Sequence, residues 1–162
     1  MLIQALREKH SVVAGTITSA LIRQGGAAVP ALVTALTDHA QAVRWHAAEA
    51  LGAIADRRAI PAQIQAFDDP DPAVRWHAAR GLARQGTPAL SALLQALETK
   101  QLTPWLAQGA QYFFHHAALG SKSREVQSVA AALTHATAGV EVPLRAEEAL
   151  AAIMATRGAT ST

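Results

Sequence analysis

The sequence predicts an all-α protein, a right-handed α-α superhelix of about ten helices arranged in antiparallel pairs. Two observations lead to this fold class. The stretch VRWHAA occurs twice, and its copies begin at Val43 and Val74, 31 residues apart. A period of this length is typical of one helix pair in a stacked repeat array. The composition is 51% hydrophobic but only 4% aromatic, which suits helices packed through small side chains.

Each clear copy contains a helix, a turn and a second helix. In the first helix of the first copy, Val43, Ala47 and Leu51 recur at helical spacing and form one apolar stripe. Ile60 and Ile64 begin the matching stripe of the second helix. Neither helix can bury its stripe alone, so we expect stacking on the neighbouring repeat to complete the core.

The repeats extend over nearly the whole chain and predict a single domain at residues 1–157. Trp105 lies 31 residues after Val74, so it is expected in the core of the fourth repeat. The expected boundaries are full repeats at about 11–40, 41–71, 72–100 and 103–137, half-repeats at 1–10 and 142–157, and a disordered tail at 158–162.

Helix ends are marked by capping residues. A side-chain acceptor followed by proline predicts a helix N-terminus, and a glycine after an apolar stripe predicts a left-handed C-terminal residue. The predicted N-caps are Asp71, Thr87 and Thr103, and the predicted terminal glycines are Gly25, Gly86 and Gly139.

Composition also limits the location and the partners. Charges at Arg7, Glu8 and Lys9 interrupt any signal peptide, and no apolar segment approaches the roughly 18 residues of a membrane span. The chain has no Cys, which fits a reducing compartment. We therefore expect a soluble, cytoplasmic protein. The 14 basic residues are nearly balanced by 12 acidic ones, which gives little reason to expect nucleic-acid binding.

Residues 43–67 and 71–82, which read VRWHAAEALGAIADRRAIPAQIQAF and DPAVRWHAARGL, resemble the short HEAT-like repeats first associated with phycobilisome lyases. The resemblance covers nearly the whole chain and implies a HEAT-like solenoid. Because functions vary widely in this family, it implies the fold more firmly than the function.

The resemblance also implies a structural ladder between repeats. In HEAT arrays an Asp before the first helix and an Arg just inside it form this ladder. Asp38 with Arg44, and Asp69 with Arg75, keep the same six-residue separation here. A guanidinium can bond both a carboxylate and the loop carbonyls at such a seam.

Deoxyhypusine hydroxylase is built from similar repeats, and its iron ligands come from His-Glu pairs in a stretch resembling VRHEAAEALGAI. Trp45 with His46, and Trp76 with His77, occupy the corresponding positions here, so the His-Glu pair is absent. A simpler metal site on His46 and His77 is the alternative to packing between repeats, but stacked helices lie about 8–10 Å apart, which is long for one ion. The chain also lacks nucleophile and phosphate-loop motifs. We expect no catalysis and no cofactor.

Two surfaces are candidates for binding. Trp45 and Trp76 lie nearly opposite their own apolar stripes on a helical wheel, which predicts an outer contact surface; cover by loops or by Arg80 is the alternative. The aromatic cluster of Tyr112 with His115 and His116 is expected to be helix surface.

The second helices are expected to line a concave face on which Thr34, Gln65 and Gln95 form a row. Their neighbours are small and uncharged, whereas a groove for nucleic acid should carry several Lys or Arg. This face better suits a peptide, a helix or another subunit.

The sequence therefore predicts a non-catalytic interaction module or scaffold that binds an unknown protein or peptide, with a homodimer as one option. The alternatives are a bilin-lyase-like accessory protein, a metal-binding enzyme related to the HEAT-repeat hydroxylases, and a nucleic-acid-binding HEAT-like protein.

Overall fold

The computed structural model describes residues 3, 6, 11–99, 101–117, 124–134 and 138–159. These residues form helices and loops without a strand, which confirms the all-α class. In chain order the α-helices of this part are α1 (Ser11–Gln24), α2 (Val29–Ala35), α3 (Gln41–Ile54), α4 (Ile60–Gln65), α5 (Pro72–Gln85), α6 (Thr87–Thr99), α7 (Pro104–His116), α8 (Arg124–Ala132) and α9 (Ala138–Ala159). Short 3-10 helices at Gly25–Ala27, Arg57–Ala59 and Ala66–Asp68 flank α2 and α4.

The first helices of successive repeats, α1, α3, α5 and α7, pack side by side in chain order. The apolar stripes face the interior as the periodicity predicts: Val43, Ala47 and Leu51 are fully buried in α3, as are Val74 and Leu82 in α5. The second helices α2, α4 and α6 pack against this row. The stacked helix pairs therefore share one continuous core.

The C-terminal part departs from the regular array. Helix α9 packs against α6 and α8, so it lies beside second helices although its sequence resembles a first helix. It begins at Ala138, so Gly139, expected to end a helix, lies inside α9, as does Pro143. The expected half-repeat at 1–10 lies almost entirely outside the described residues, and so do residues 160–162 of the expected tail.

Capping follows the sequence at two of the three predicted N-termini. The Asp71 carboxylate accepts from the backbone N–H groups of Ala73 and Val74, at 2.8 and 3.2 Å. The Thr103 hydroxyl accepts from the N–H of Leu106 at 3.0 Å. Helix α6 instead includes Thr87 as its first residue, so this threonine lies one position inside the helix.

The fourth repeat begins at its expected cap, Thr103, but the core positions of its first helix come one residue later than the 31-residue period predicts. Trp105, expected in the core, is 47% exposed, whereas Leu106 is fully buried. The caps show the reason: Thr103 and Pro104 follow Asp71 and Pro72 by 32 residues, not 31. The extra residue moves Leu106 to the position of Val74 and turns Trp105 outward.

Helices α3 and α5 approach closely because each presents a glycine to the other. A Cβ at Gly52 would lie 2.9 Å from the Cα of Gly81, and one at Gly81 would lie 2.5 Å from the Cα of Gly52. The amide of Gln63, which is fully buried, would also be 2.5 Å from the latter Cβ. Only hydrogen atoms fit at this crossing, so the two glycines fix the distance between these repeats. No helix in the described residues has the length and apolarity needed to cross a bilayer.

We expect Gly81→Ala to destabilise the fold by about 1–3 kcal/mol, because the added methyl meets backbone that cannot yield locally. This loss should outweigh the helix propensity of alanine. Urea denaturation of the two proteins measures the difference.

Gly15→Ala is the matched control, since a Cβ there meets nothing within 4 Å. That variant should be unchanged or stabilised by up to about 1 kcal/mol. A Gly81→Ala protein at least as stable as the native chain would show that the crossing is not tight.

Candidate binding groove

The guanidinium of Arg44 joins two consecutive interhelix loops. Its Nε and Nη2 atoms donate to the two carboxylate oxygens of Asp69, at 2.7 and 3.1 Å. Its Nη1 donates to the backbone carbonyls of Asp38 and His39, at 3.0 and 3.3 Å. The Asp38 carboxylate accepts instead from the N–H of Ala40, at 2.9 Å. The ladder contact thus runs from an arginine to the aspartate of the following repeat.

The Arg44–Asp69 pair is largely buried, with side chains 12% and 5% exposed. The hydrogen bond to Asp69 raises the pKa of Arg44 above its ordinary value, against the opposing effect of burial. Asp69 also accepts from the N–H of Asp71, at 2.9 Å. Because both charges are paired and hydrogen-bonded, removing one partner would leave the other uncompensated.

Arg75 occupies the same place one repeat later, but no carboxylate in the described residues pairs with it. Its Nη1 donates to the backbone carbonyls of Asp69 and Pro70, at 2.7 and 3.1 Å. Its guanidinium lies over the ring of Trp105, 3.9 Å from the centroid. Its Nε atom is buried without a hydrogen-bond partner in this part of the chain.

Trp45 and Trp76, the predicted outer pair, differ in exposure. Trp45 is partly buried and packs against the core. Its ring lies edge-on to His46 and His77, with centroids 4.5 and 4.7 Å apart. His77 belongs to α5, so the next repeat covers the side of α3 that a single-helix wheel leaves open.

Trp76 remains 46% exposed because the next helix offers it no covering side chain. Allowing for the extra residue in the fourth repeat, Gly109 of α7 stands where α5 has His77. A Cβ at Gly109 would collide with the ring of Phe67. The glycine that lets α7 pack on Phe67 therefore leaves a gap beside Trp76.

A cavity of about 250 Å³ opens in this gap. A second cavity, of about 630 Å³, lies between α7 and α8. Gln108 and Tyr112 line both cavities, so the two adjoin at these side chains. We call the two cavities together the aromatic groove and define it by Arg75, Trp76, Trp105, Gln108, Gly109 and Tyr112.

Two arginines give the aromatic groove a positive charge, Arg75 in its wall and Arg80 beside Trp76. Arg80 lies 5.1 Å from the ring centroid of Trp76. Tyr112 stacks on His116 at 4.0 Å, and His115 lines the larger cavity. Among the described residues no carboxylate lines either cavity. The groove can therefore accept apolar and anionic groups.

His46 and His77, the two candidate metal ligands, pack against other side chains: the ring of Trp45 contacts both. The hydroxyl of Thr18 donates to the carbonyl of Ala14 at 2.9 Å, so the His46 Nδ1, 2.9 Å from that hydroxyl oxygen, acts as the donor. Burial lowers the pKa of His46 and is also the main cause that lowers the pKa of His77. In the part of the chain that the structure describes, no three His, Asp or Glu side chains converge on a common point.

Thr34, Gln65 and Gln95, the residues of the predicted concave row, are exposed, but only two of them line the same cavity. Thr34 and Gln65 line a shallow cavity of about 400 Å³ between α2 and α4. Gln95 on α6 is also exposed but does not line that cavity. Among the described residues that line this cavity, none is aromatic or cationic.

Sequence reasoning missed Trp105 and treated Tyr112 only as helix surface. The signal that could have found both is the 32-residue spacing between the caps Asp71 and Thr103. With that spacing, Trp105 leaves the core and comes next to Arg75.

Comparison with known proteins identifies the family. The family model for HEAT repeats matches residues 1–63 and 41–112, more than half of the chain, so the chain belongs to the HEAT repeat family. No curated protein matches the sequence.

Among solved structures, the chain is similar to the complex of CpcE and CpcF of phycocyanin lyase from Nostoc sp. PCC7120. The identity is 26%, the TM-score is 0.55, and the match covers 91% of this chain and 95% of that one. Since this neighbour belongs to a lyase, the comparison does not support the expectation that the chain is not an enzyme.

We expect Arg44→Gln to lower the free energy of unfolding by about 3–5 kcal/mol, because it leaves the buried Asp69 carboxylate without its partner. Chemical denaturation at neutral pH measures the change. Arg58→Gln is the control, because it breaks an ion pair with Asp56 in which Arg58 is 60% exposed. A similar loss in both variants would contradict a special role for the Arg44–Asp69 pair.

His46 and His77, which are partly buried, predict that the stability of the fold depends on pH. Their pKa values are lower in the folded chain than the ordinary value near 6.5. Between pH 7 and pH 5 the unfolded chain therefore binds more protons than the folded chain, and stability should fall as the pH falls.

Replacing His46 and His77 together by Gln should flatten this slope, as measured by denaturation at several pH values. His39→Gln, which removes a side chain that is 81% exposed, should leave the slope unchanged. If the free energy of unfolding changes with pH as steeply in the double variant as in the native chain, the pH dependence comes from other groups.

Proposed function

We propose that this HEAT-repeat protein is an interaction module that binds a partner protein through the aromatic groove. The observation that supports this most directly is the exposure of two tryptophans, Trp76 at 46% and Trp105 at 47%, both of which line one cavity. Tryptophan and arginine are the residues most enriched among those that dominate binding energy. In this proposal Trp105 replaces Trp45 in the predicted outer pair.

The similar solved structure supports a protein partner, because it is a complex of CpcE with CpcF. In the groove, Trp76 and Trp105 offer rigid apolar area, and Gln108 and Tyr112 offer hydrogen-bonding groups beside it. This combination is that of a binding hot spot. The concave row of Thr34, Gln65 and Gln95 remains a predicted second surface, and the cytoplasmic location remains an expectation from the sequence.

A bilin-lyase-like accessory role is the second candidate. It is favoured by the likeness to phycocyanin lyase, which extends over nearly the full length of both chains at 26% identity. Titrating the purified chain with biliverdin tests it. A saturable absorption change at equimolar pigment would favour this role, and an unchanged pigment spectrum would count against it.

For the interaction module, we expect Trp76→Ala combined with Trp105→Ala to weaken partner binding by about a hundredfold, since two hot-spot side chains at roughly 1–2 kcal/mol each are lost. Affinity capture with the tagged native chain, followed by titration of the captured partner, measures the effect. Both residues are exposed, so the variant should keep its helical circular dichroism and its unfolding midpoint.

Leu144→Ala combined with Met154→Ala is the matched control. These side chains are 55% and 71% exposed and lie on α9, which does not line the aromatic groove. This variant should bind like the native chain. Equal capture by the tryptophan variant and the native chain would reject the groove as the binding surface.

A further inference from the structure

Arg44 and Arg75 make equivalent hydrogen bonds through Nη1. In each arginine, Nη1 donates to two backbone carbonyls of the loop before its own helix. Arg44 then presents the edge formed by Nε and Nη2 to the two oxygens of Asp69. For Arg75, Nε is buried without a partner among the described residues. The arginine that is paired with a carboxylate in one repeat has no carboxylate partner among the described residues in the next.

The carboxylates closest in sequence to Arg75 are all engaged elsewhere. Asp68 accepts from the hydroxyl of Thr103. Asp69 is bound by Arg44. Asp71 caps α5 by accepting from two backbone N–H groups of that helix. None of them can turn to Arg75 without breaking an existing contact.

The sequence explains why the next repeat supplies no replacement. With the 32-residue spacing set by the caps, the position that follows Asp69 by one repeat is Gln101. Gln101 is exposed, and its side chain has no negative charge. Arg75 therefore occupies the ladder position, but Gln101 stands where the ladder carboxylate would be.

We propose that the partner protein supplies this carboxylate: an Asp or Glu side chain binds the guanidinium of Arg75 where it lines the aromatic groove, and an adjacent apolar side chain packs against Trp76 and Trp105. This inference rests on the proposed function and names the chemistry of the partner. The partner carboxylate takes the role that Asp69 has for Arg44, and the aromatic walls exclude water from the pair.

Charge complementarity supports an acidic partner segment. Arg75 lines the aromatic groove, Arg80 lies against Trp76, and no described lining residue is acidic. The stacking of Arg75 on Trp105 holds the plane of the guanidinium, so its donors have a fixed direction. A planar guanidinium held in a fixed direction favours a carboxylate as its partner.

The chain itself provides a suitable probe. Residues 67–72 read FDDPDP, and their Asp69 is the carboxylate that fits the equivalent arginine one repeat earlier. An acetylated and amidated peptide of this sequence presents the same aspartate together with an aromatic side chain. A second peptide with Asn in place of Asp69 is the matched control, because it keeps the shape and removes that charge.

Binding can be followed through the indole N–H signals in nuclear magnetic resonance spectra, because the chain has three tryptophans. Low-millimolar FDDPDP peptide should shift the signals of Trp76 and Trp105 with saturation and leave that of Trp45 in place. The Asn peptide should bind at least about tenfold more weakly, the loss expected for one charge-assisted fork.

On the protein side, Arg75→Gln and Arg75→Lys should each weaken FDDPDP binding about tenfold, since the lysine variant keeps the charge but not the fork. Arg84→Gln, which removes an exposed cation outside the groove, should bind as the native chain does. Circular dichroism confirms that each variant is folded. Should Arg75→Gln not fold, Arg75→Lys provides the comparison.

The proposal is overturned if the peptide does not shift the two signals, if both peptides bind equally, or if neither Arg75 variant loses affinity. A native chain that sediments as a dimer, and an Arg75→Gln chain that sediments as a monomer, would instead place a second copy of this chain at Arg75.

Failure of the proposed function and failure of the carboxylate site give different sets of results. If partner capture depends on Trp76 and Trp105 but peptide binding does not depend on Arg75, the interaction module stands and the carboxylate is rejected. If the peptide binds through Arg75 while partner capture ignores both tryptophans, the carboxylate site stands and the proposed function fails.

Discussion

The ion pair between Arg44 and Asp69 is the interaction on which the arrangement of the central repeats depends. One guanidinium holds the carbonyls of its own loop and the carboxylate of the next loop, so it fixes two helix pairs relative to each other. The glycine crossing of Gly52 and Gly81 brings the same two helices close together near their C-terminal ends. The ion pair and the close packing therefore act on the same seam, and loss of either should weaken it.

The aromatic groove arises where this seam is not repeated. Arg75 has no carboxylate partner in the described residues, and Gly109 replaces the histidine that would cover Trp76. Trp105 fills part of the space by stacking on Arg75. One irregular repeat thus produces a partly buried cation without a carboxylate partner among the described residues, two exposed indoles and a cavity at the same place. The HEAT array gains a distinct surface there.

The sequence was sufficient to predict the fold because the repeat constrains it strongly. Val43 and Val74 mark equivalent buried positions, and their stripes determine which face of each helix is buried. The site was less predictable. A helical wheel describes one helix against one partner, whereas Trp45 is covered by His77 from the neighbouring repeat. Trp105 was misplaced because a single inserted residue rotates a helix by about 100°.

The packing of α9 could not be predicted from its sequence either. Its stripe resembles that of a first helix, but it lies beside α6 and α8. Apolar periodicity shows that a face is buried without showing against which helix. The lost ladder carboxylate at Gln101 was visible in the sequence only once the register of the fourth repeat was known.

Double-mutant cycles that pair each ladder arginine with the loop carboxylates test the central claim most directly. The account predicts a coupling of about 1–3 kcal/mol between Arg44 and Asp69, and a coupling below about 0.5 kcal/mol between Arg75 and Asp68, Asp69 or Asp71. Stability measured with Arg→Gln and Asp→Asn variants, singly and together, gives each value. A coupling of Arg75 to any of these carboxylates as large as that of Arg44 to Asp69 would show that Arg75 is already paired and would contradict the account.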